Sequence, residues 1–563
     1  MNHSSYLRFF ALLLGLFASF AAIAQHHQSE YHETKGMDPI PVNPAHRRTS
    51  PPYRIFGTSF FATQVNVNAN GDNIVGDAAN EPSIAVDPTN PMRMAIGWRQ
   101  FDTIASDFRQ AGYGFTTNGG YTWTFPGVID PGVFRSDPVL ESDSEGRFYY
   151  NSLTVGAGYS TNVYRSTGDG TWDSGPYAYG GDKQWMVIDK TGGIGDGNIY
   201  SNWNASYSIC PPGDFTRSTD GGETYEPCTP VAFSPYWGNL DVGPAGEVYA
   251  IGDGGYLAKS VNAQFANDAV TWEGYNANIG GYSQGFNGAS PNPSGLLGQA
   301  WVGTDHSNGP NHGNIYVLGS VVPNNGGDVM DVHFTRSTDG GVTWSAPQKV
   351  NDDNSPGNWQ WFGTMSVAPN GRIDVVWLDT RDNPGTFLSS LYYSYSEDAG
   401  QTWSPNERLS DDFDPHVGWP IQQKMGDYFD MVSDNLGAHL SWAATFNGEQ
   451  DVYYGRISLE PLQTVSAAQT IGTLLPNYPN PFSTNTNLPF SLKNSGRVTL
   501  SILHQTGQVA KVLLQDKAMT PGNYIVPFDG TGGDGNDLAA GMYYYELKVE
   551  GFPPIAGKMV MLR

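Results

Sequence analysis

The chain has 563 residues, with 69 glycines, 38 prolines, 13% aromatic and only 15% charged side chains. Its 29 basic and 55 acidic residues leave a net charge of −26, which disfavours nucleic acid and anionic membranes as partners because phosphate binding relies on basic patches. A strongly anionic polysaccharide is disfavoured too, unless a local basic pocket exists. The glycine, proline and aromatic excess suits many short strands joined by tight turns.

Residues 1–24 hold Arg8, an apolar run from Phe9 to Ala22 and Ala22-Ile23-Ala24 before Gln25. That pattern predicts a secretory signal with a small-residue cleavage site, too short to be a membrane span. Residues 25–55 are polar and proline-rich, and read as a flexible leader in which His26, His27 and His32 are solvated.

From residue 56 to 460 one phrase keeps returning. It is Ser-Thr-Asp-Gly-Gly-Glu-Thr-Tyr at Ser218–Tyr225, Ser-Thr-Asp-Gly-Gly-Val-Thr-Trp at Ser337–Trp344 and Ser-Glu-Asp-Ala-Gly-Gln-Thr-Trp at Ser396–Trp403. A drifted copy occupies Thr116–Trp123, with a shortened echo at Ser166–Trp172 and a stretched one at Ser260–Trp272. Asp or Asn followed by Gly supplies the positive-φ positions of a hairpin, and the carboxylate can bond the turn's own amides. The closing aromatic folds back over the turn. The closing aromatics recur at intervals of 49, 53, 47, 72 and 59 residues, the period of propeller blades.

Each period opens on a similar strand, beginning near Glu81, Asp137, Gln184, Trp237, Gln299 and Phe362, and a seventh opens at Asp427 without a box. Seven openings predict seven blades, with six as the alternative. The segment from Thr63 to Asn68 reads as an outer strand that completes the last blade and closes the ring, which removes exposed sheet edges. The fold class is therefore all-β: a β-propeller followed by a small Ig-like β-sandwich.

The repeats resemble the Asp-box (BNR) of sialidase-like β-propellers. The resemblance implies a glycan-active scaffold, and residue by residue it is partial. Trp98-Arg99, then Ser106-Asp107, then the box at 116–123 resemble that family's first blade, where the Asp is acid/base and the Arg a substrate ligand. The family's opening Arg-Ile-Pro strand is matched by Asn80-Glu81-Pro82, so Asn80 stands where the first carboxylate-binding Arg belongs, which counts against an exo-sialidase. Arg54-Ile55-Phe56 lies upstream and lacks the Pro.

Residues 461–475 are a Ser/Thr/Ala/Gln linker. Beyond it come Asn477-Tyr-Pro-Asn-Pro-Phe482, alternating strands, Gly541-Met-Tyr-Tyr-Tyr-Glu-Leu-Lys548 and Gly557-Lys-Met-Val-Met-Leu-Arg563. Periodicity gives a small β-sandwich over 476–563. These motifs resemble the type A sorting domain of the type IX secretion system. That likeness implies a Gram-negative source of the Bacteroidetes kind, a partnership with the secretion machinery, and a product that is secreted or attached to the outer membrane. The chain is expected to be a monomer without a transmembrane segment.

Cys210 and Cys228 are the only cysteines, and in an oxidising compartment they are expected to pair. Chemistry is expected where the inner strands deliver polar residues to the axial rim: Glu81, Asp137, Lys183, Gln184, Asn239, Gln299 and Asp427. Converging carboxylates supply a general acid and base, or oxygen ligands for a hard cation such as Ca²⁺. The candidate catalytic residues are Glu81, Asp107, Asp137 and Asp427. Arg99, Arg135 and Arg381 are candidate clamps for an acidic sugar, and Trp98, Trp185, Trp237, Trp301 and Trp361 candidate stacking platforms, with inter-blade core as their other reading. The implied function is action on extracellular carbohydrate by a glycoside hydrolase or polysaccharide lyase. The alternative is a non-catalytic propeller that binds glycan or protein.

Overall fold

The structure is a computed structural model that describes residues 32–562 apart from 35, 44–46, 58, 167–169, 283–288, 460–471, 475–476, 493–494, 505–508, 534 and 550–551. The expected signal at 1–24, His26, His27 and most of the 461–475 linker lie outside the described residues. The chain divides into two compact units, Met1–Leu459 and Glu460–Arg563.

The first unit is a β-propeller, with seven blade sheets among the described residues. Their inner strands are Ala78–Val86, Ser136–Ser142, Trp185–Ile188, Leu240–Val242, Trp301–Thr304, Gln360–Val367 and Asp430–Asp434. Each packs on the next, and Asp430–Asp434 packs on Ala78–Val86, so the ring closes. Blades cover both faces of most strands, which is why Met94–Phe101 and Gly437–Ala444 are buried throughout and the sequence shows short apolar runs rather than alternation.

The ring closes through the strand Phe60–Gln64, which pairs antiparallel with Asp451–Ser458 from Phe60↔Ile457 to Gln64↔Tyr453. Arg54–Phe56 adds outside it. The closing strand thus begins three residues earlier than the sequence suggested. It ends at Gln64 because the side chain of Asn66 takes over, accepting Val452 N–H (3.0 Å) and donating to Asp451 (2.9 Å).

The repeated phrase forms the expected turns. In blade three, Ser218 Oγ donates to Asp220 Oδ1 (2.7 Å) and accepts Gly222 N–H (2.9 Å), while Asp220 accepts both the N–H (3.0 Å) and the hydroxyl (2.6 Å) of Thr224. Ser337–Thr343 and Ser396–Thr402 repeat these bonds. The two residues after the Asp or Asn have positive φ in all four copies, and seven of these eight are glycine; the exception is Ala399 at 61°. Blade three also carries the Cys210–Cys228 disulfide, as the two lone cysteines suggested.

The second unit is a sandwich of two antiparallel sheets. One holds Gly472–Leu474, Thr486–Leu492 and Gly522–Phe528; the other holds Gly496–Leu503, Val509–Met519, Gly541–Val549 and Phe552–Met561. Leu488 and Phe490 of the first meet Leu500, Ile502, Tyr545 and Met559 of the second in one core.

Candidate functional site

The site follows from a backbone device repeated seven times. Where each inner strand begins, one residue is left-handed: Glu81 (φ 50°), Asp137 (46°), Lys183 (56°), Trp237 (59°), Gly298 (147°), Phe362 (56°) and Gly426 (92°). Pairing shifts register beside this residue in blades one and six, as in a bulge. Bulges re-aim side chains, and here Glu81, Asp137 and Lys183, with Asp427 next to Gly426, are brought together.

Lys183 Nζ lies 2.7 Å from Asp427 Oδ2 and 3.6 Å from Asp137 Oδ2. Lys424 Nζ lies 2.8 Å from Asp427 Oδ2 and 3.7 Å from Glu81 Oε1. Arg99 Nε lies 3.1 Å from Glu81 Oε2 and donates to Asn80 Oδ1 at 2.8 Å. Asn80 thus holds the Arg99 guanidinium beside Glu81. All of these groups are buried.

Burial without donors pushes the Glu81 carboxyl well above the usual carboxylate range; Arg99 opposes this, and Asp427 and Asp137 add to it. Neither carboxyl oxygen of Glu81 has a hydrogen-bond partner. Burial also raises Asp137. Asp427 feels the same burial, but Lys183 and Lys424 outweigh it and hold its carboxyl below the ordinary range. Lys183 is held above its usual value because Asp137 and Asp427 overcome its burial. Two carboxyls driven apart in this way are the pattern of an acid and a base. Glu81 is the one shifted upward and Asp427 the one shifted downward.

One further carboxylate completes the cluster, and no sequence signal singled it out. Glu33, from the leader, reaches Arg99 Nη1 at 2.9 Å, Lys424 Nζ at 3.2 Å and Lys183 Nζ at 3.5 Å, and accepts a close bond from Arg109. Ser136 Oγ donates to it at 2.9 Å. Burial raises its carboxyl, but Arg109, Lys424, Arg99 and Lys183 outweigh that and hold it well below the usual range.

The leader is thus not a free tether at this point. His32 stacks on Tyr207 with ring centroids 3.4 Å apart, and its Nδ1 lies 2.6 Å from Asp182 Oδ2. Glu33 N–H donates to Asp182 Oδ1 at 2.9 Å, and Tyr159 donates to the Glu33 carbonyl at 2.8 Å. His32 and Glu33 are buried, which corrects the expectation of a solvated leader: Asp182, Tyr207 and Tyr159 give its polar groups partners that solvent would otherwise supply.

The other candidates divide. Glu81, Asp137, Asp427 and Arg99 are in the cluster. Asp107 is outside it and holds the leader, accepting Met37 N–H at 2.6 Å. Arg135 belongs to Asp130 (3.0 Å) and lies over Tyr164; Arg381 belongs to Asp379 (2.8 Å) and Asp352 (2.5 Å) and lies over Tyr392. Neither arginine clamps the axial site, because each is already paired with nearby aspartates of the blades and their links. Trp98 is fully buried, bonds Gln100 at 2.7 Å and packs on Phe125, so it is core rather than a sugar platform, as is Trp361, bonded to Ser389. Trp185 packs on Trp301 and Tyr428. Trp237 is at the rim but under the leader, 6.2 Å from His32.

Arg109 and Lys424 were missed along with Glu33. A Ca²⁺ ion does not fit this donor set. The carboxylate oxygens of Glu33, Glu81 and Asp427 lie within 4.8 Å of one another, but the Lys424 ammonium is within 3.7 Å of all three. Calcium takes six to eight oxygens, whereas this group is already neutralised by lysine and arginine.

Farther along the axis a channel of about 230 Å³ is lined by residues of all seven inner strands, among them Leu140, Met186, Trp301 and Met365. Its lining mixes these apolar side chains with Glu141, Lys190, Asp241, His306 and Asp430.

No protein-family model matches the chain, and no curated protein matches its sequence. Among solved structures it is similar to a fungal alcohol oxidase of the AA5 family in complex with copper, at 13% identity and TM-score 0.42, over 92% of this chain and 100% of that one. A Hadza microbial sialidase aligns at 11% identity and TM-score 0.35, over 68% of this chain and 66% of that one. A polysaccharide lyase of the PL25 ulvan lyase family aligns at 10% identity and TM-score 0.37, over 72% and 96%. At such identities and scores these similarities assign no chemistry to the axial cluster.

Proposed function

We propose that this propeller acts on an extracellular glycan bearing a carboxylate, at the end of the axis where the inner strands begin. The observation that carries the reading is the convergence of Glu81 and Asp427, whose carboxyls are shifted in opposite directions, beside Arg99, Arg109, Lys183 and Lys424. Such a set binds an acidic sugar through its cations, while Glu81 donates a proton to a leaving oxygen.

The test is incubation of the native chain, a Glu33→Ala chain and its Glu81→Gln derivative with uronate-containing oligosaccharides and sialosides, with products read by mass spectrometry. Product that disappears with Glu81→Gln supports the enzyme. A 4,5-unsaturated end assigns a lyase and a hydrated end a hydrolase. Retention on a glycan without product would instead leave a binding propeller.

We also propose that residues 1–24 direct export and that 476–563 is a sorting domain. Support for the latter comes from how its motifs meet: Asn477 N–H donates to Tyr545 (3.1 Å), and Val560 N–H donates to Asn480 (2.8 Å). Among the described residues no helix is long and apolar enough to cross a membrane. Deleting 476–563 in a host with the type IX system is expected to keep the propeller inside the cell envelope; unchanged export would overturn the assignment.

A further inference from the structure

We infer that Glu33 is a resident stand-in for a ligand carboxylate: Arg99, Arg109, Lys183 and Lys424 form an anion site that the chain's own leader fills, and the site takes an external carboxylate only when the leader lifts. The inference deepens the proposed function and rests on its placement of the site, though not on catalysis.

Three observations carry it. First, Glu33 is the one acid of the cluster that is not delivered by an inner strand. It comes from a segment outside the ring, yet it has the most cationic partners of any group there. Second, the segment is docked through features specific to it. Asp182 takes both the His32 ring and the Glu33 N–H, Tyr207 stacks on His32, Arg109 donates to the Thr34 carbonyl at 3.1 Å, and Asp107 accepts Met37 N–H. Third, the cations do not need Glu33 to define the cage. Lys183 and Lys424 are both fixed by Asp427, Arg99 by Glu81 and Asn80, and Arg109 by Ser136 at 3.2 Å and the Asp107 carbonyl at 3.0 Å. Lifting the leader therefore leaves four oriented cations that still share Glu81, Asp137 and Asp427, with one carboxylate's charge removed from among them. A purely structural ion pair would not need a recipient held from the opposite side.

A tethered carboxylate competes at an effective concentration in the millimolar range or above, so a free acid sees only the small fraction of molecules with the leader raised. The experiment is a titration of the full chain and its Glu33→Ala variant with sodium glucuronate, and with glucose as the uncharged control. Binding is followed by tryptophan fluorescence, since Trp237 lies beside His32, and by calorimetry. Glu33→Ala is expected to bind glucuronate at least about tenfold more tightly than the native chain, to ignore glucose, and to regain on glucuronate part of the thermal stability that the substitution removes. Tyr207→Ala, which loosens the leader but leaves the cage intact, is expected to shift binding the same way by a smaller factor. Equal glucuronate affinity in all three chains, or a Glu33→Ala chain whose lost stability no carboxylate restores, would overturn the inference and leave Glu33 a structural ion pair. The outcome is independent of turnover. Glucuronate binding without product on any glycan would keep the anion site and remove the enzyme, whereas product from the native chain with the leader docked would keep the enzyme and remove the plug.

Discussion

The Asp-box turns and the inner-strand heads are both left-handed backbone devices repeated around the ring, but only the turns repeat in sequence. In the four clear boxes seven of eight left-handed positions are glycine, and Ser, Asp and Thr recur because each satisfies a local amide. At the strand heads five of the seven left-handed residues are Glu81, Asp137, Lys183, Trp237 and Phe362. A non-glycine residue in that region costs about 1–2 kcal/mol, and such strain concentrates at functional sites. Where the side chain's task is the turn itself, the sequence repeats. Where the turn only aims the side chain, the residues diverge, and those are the ones that gather at the axis.

The sharpest way to break this comparison is to remove one carboxylate from each region. Asp427→Ala leaves the buried Lys183 and Lys424 short of their closest counter-ion, and losing one partner of a buried pair costs about 3–5 kcal/mol. Urea unfolding followed by tryptophan emission measures it on the propeller alone, since all 15 tryptophans precede residue 460. A loss under about 1 kcal/mol, the range of an exposed pair, would mean that the cluster is hydrated and the contrast false.

pH separates the box carboxylates by sign from two buried aspartates of the blades that lie outside the axial cluster. Burial raises Asp451 and Asp214 from 3.8 to about 7. Their folded pKa exceeds the unfolded one, so their contribution is full below about pH 4 and is lost as pH rises through 7. The box carboxylates behave oppositely. At Asp220 and Asp398 slight burial is outweighed by bonds from Thr224 and Thr402, and the pKa falls, so their contribution is present above about pH 4 and lost below it. From pH 5 to pH 8 each of these two groups is expected to withdraw about 3 kcal/mol of stability, about 5–6 kcal/mol together, and Asp451→Asn to remove about half of that slope. A profile that rises over this interval, or one that Asp451→Asn leaves unchanged, would contradict the assignment.

The same contrast explains what the sequence made legible. The boxes, the blade count and the strand heads were readable because turn chemistry is local: Asp220 bonds residues within four positions. Glu81, Asp137 and Asp427 were found because strand heads recur. Glu33, Arg109 and Lys424 were not, since Glu33 meets Lys424 across 391 positions and Arg109 across 76, with no period to mark either contact. Arg135 and Arg381 misled because a guanidinium near a strand end looks the same in sequence whether it faces a ligand or its own blade's Asp130 or Asp379. Trp98 misled for a related reason: which face of a doubly covered strand it occupies decides between platform and core, and its own full burial between Gln100 and Phe125 settles it as core.

Within the boxes the effects shrink. Asp220→Ala removes the acceptor for Ser218 and for both Thr224 donors, and loss of a capping side chain of this kind costs about 1 kcal/mol. Chemical denaturation of the variant beside Asp427→Ala gives the ratio directly. A loss matching that of Asp427→Ala would erase the distinction between local turn and converging site.

The smallest effect belongs to Ala399, the one non-glycine at these eight box positions. Ala399→Gly relieves a left-handed alanine, worth about 1–2 kcal/mol. Against this, the Ala399 methyl is buried in a core that also holds Phe334, and removing it forfeits about 0.8 kcal/mol of burial. Glycine also frees the unfolded chain by about 0.4–1 kcal/mol. The opposing contributions nearly cancel, so the shift in unfolding midpoint is expected to correspond to less than about 1 kcal/mol, in either direction. A stabilisation well above that would show that the methyl packs poorly and that strain rules the turn. A loss well above it would show that this box, unlike its three companions, relies on its buried methyl, packed in the core that holds Phe334, beyond the burial of one carbon.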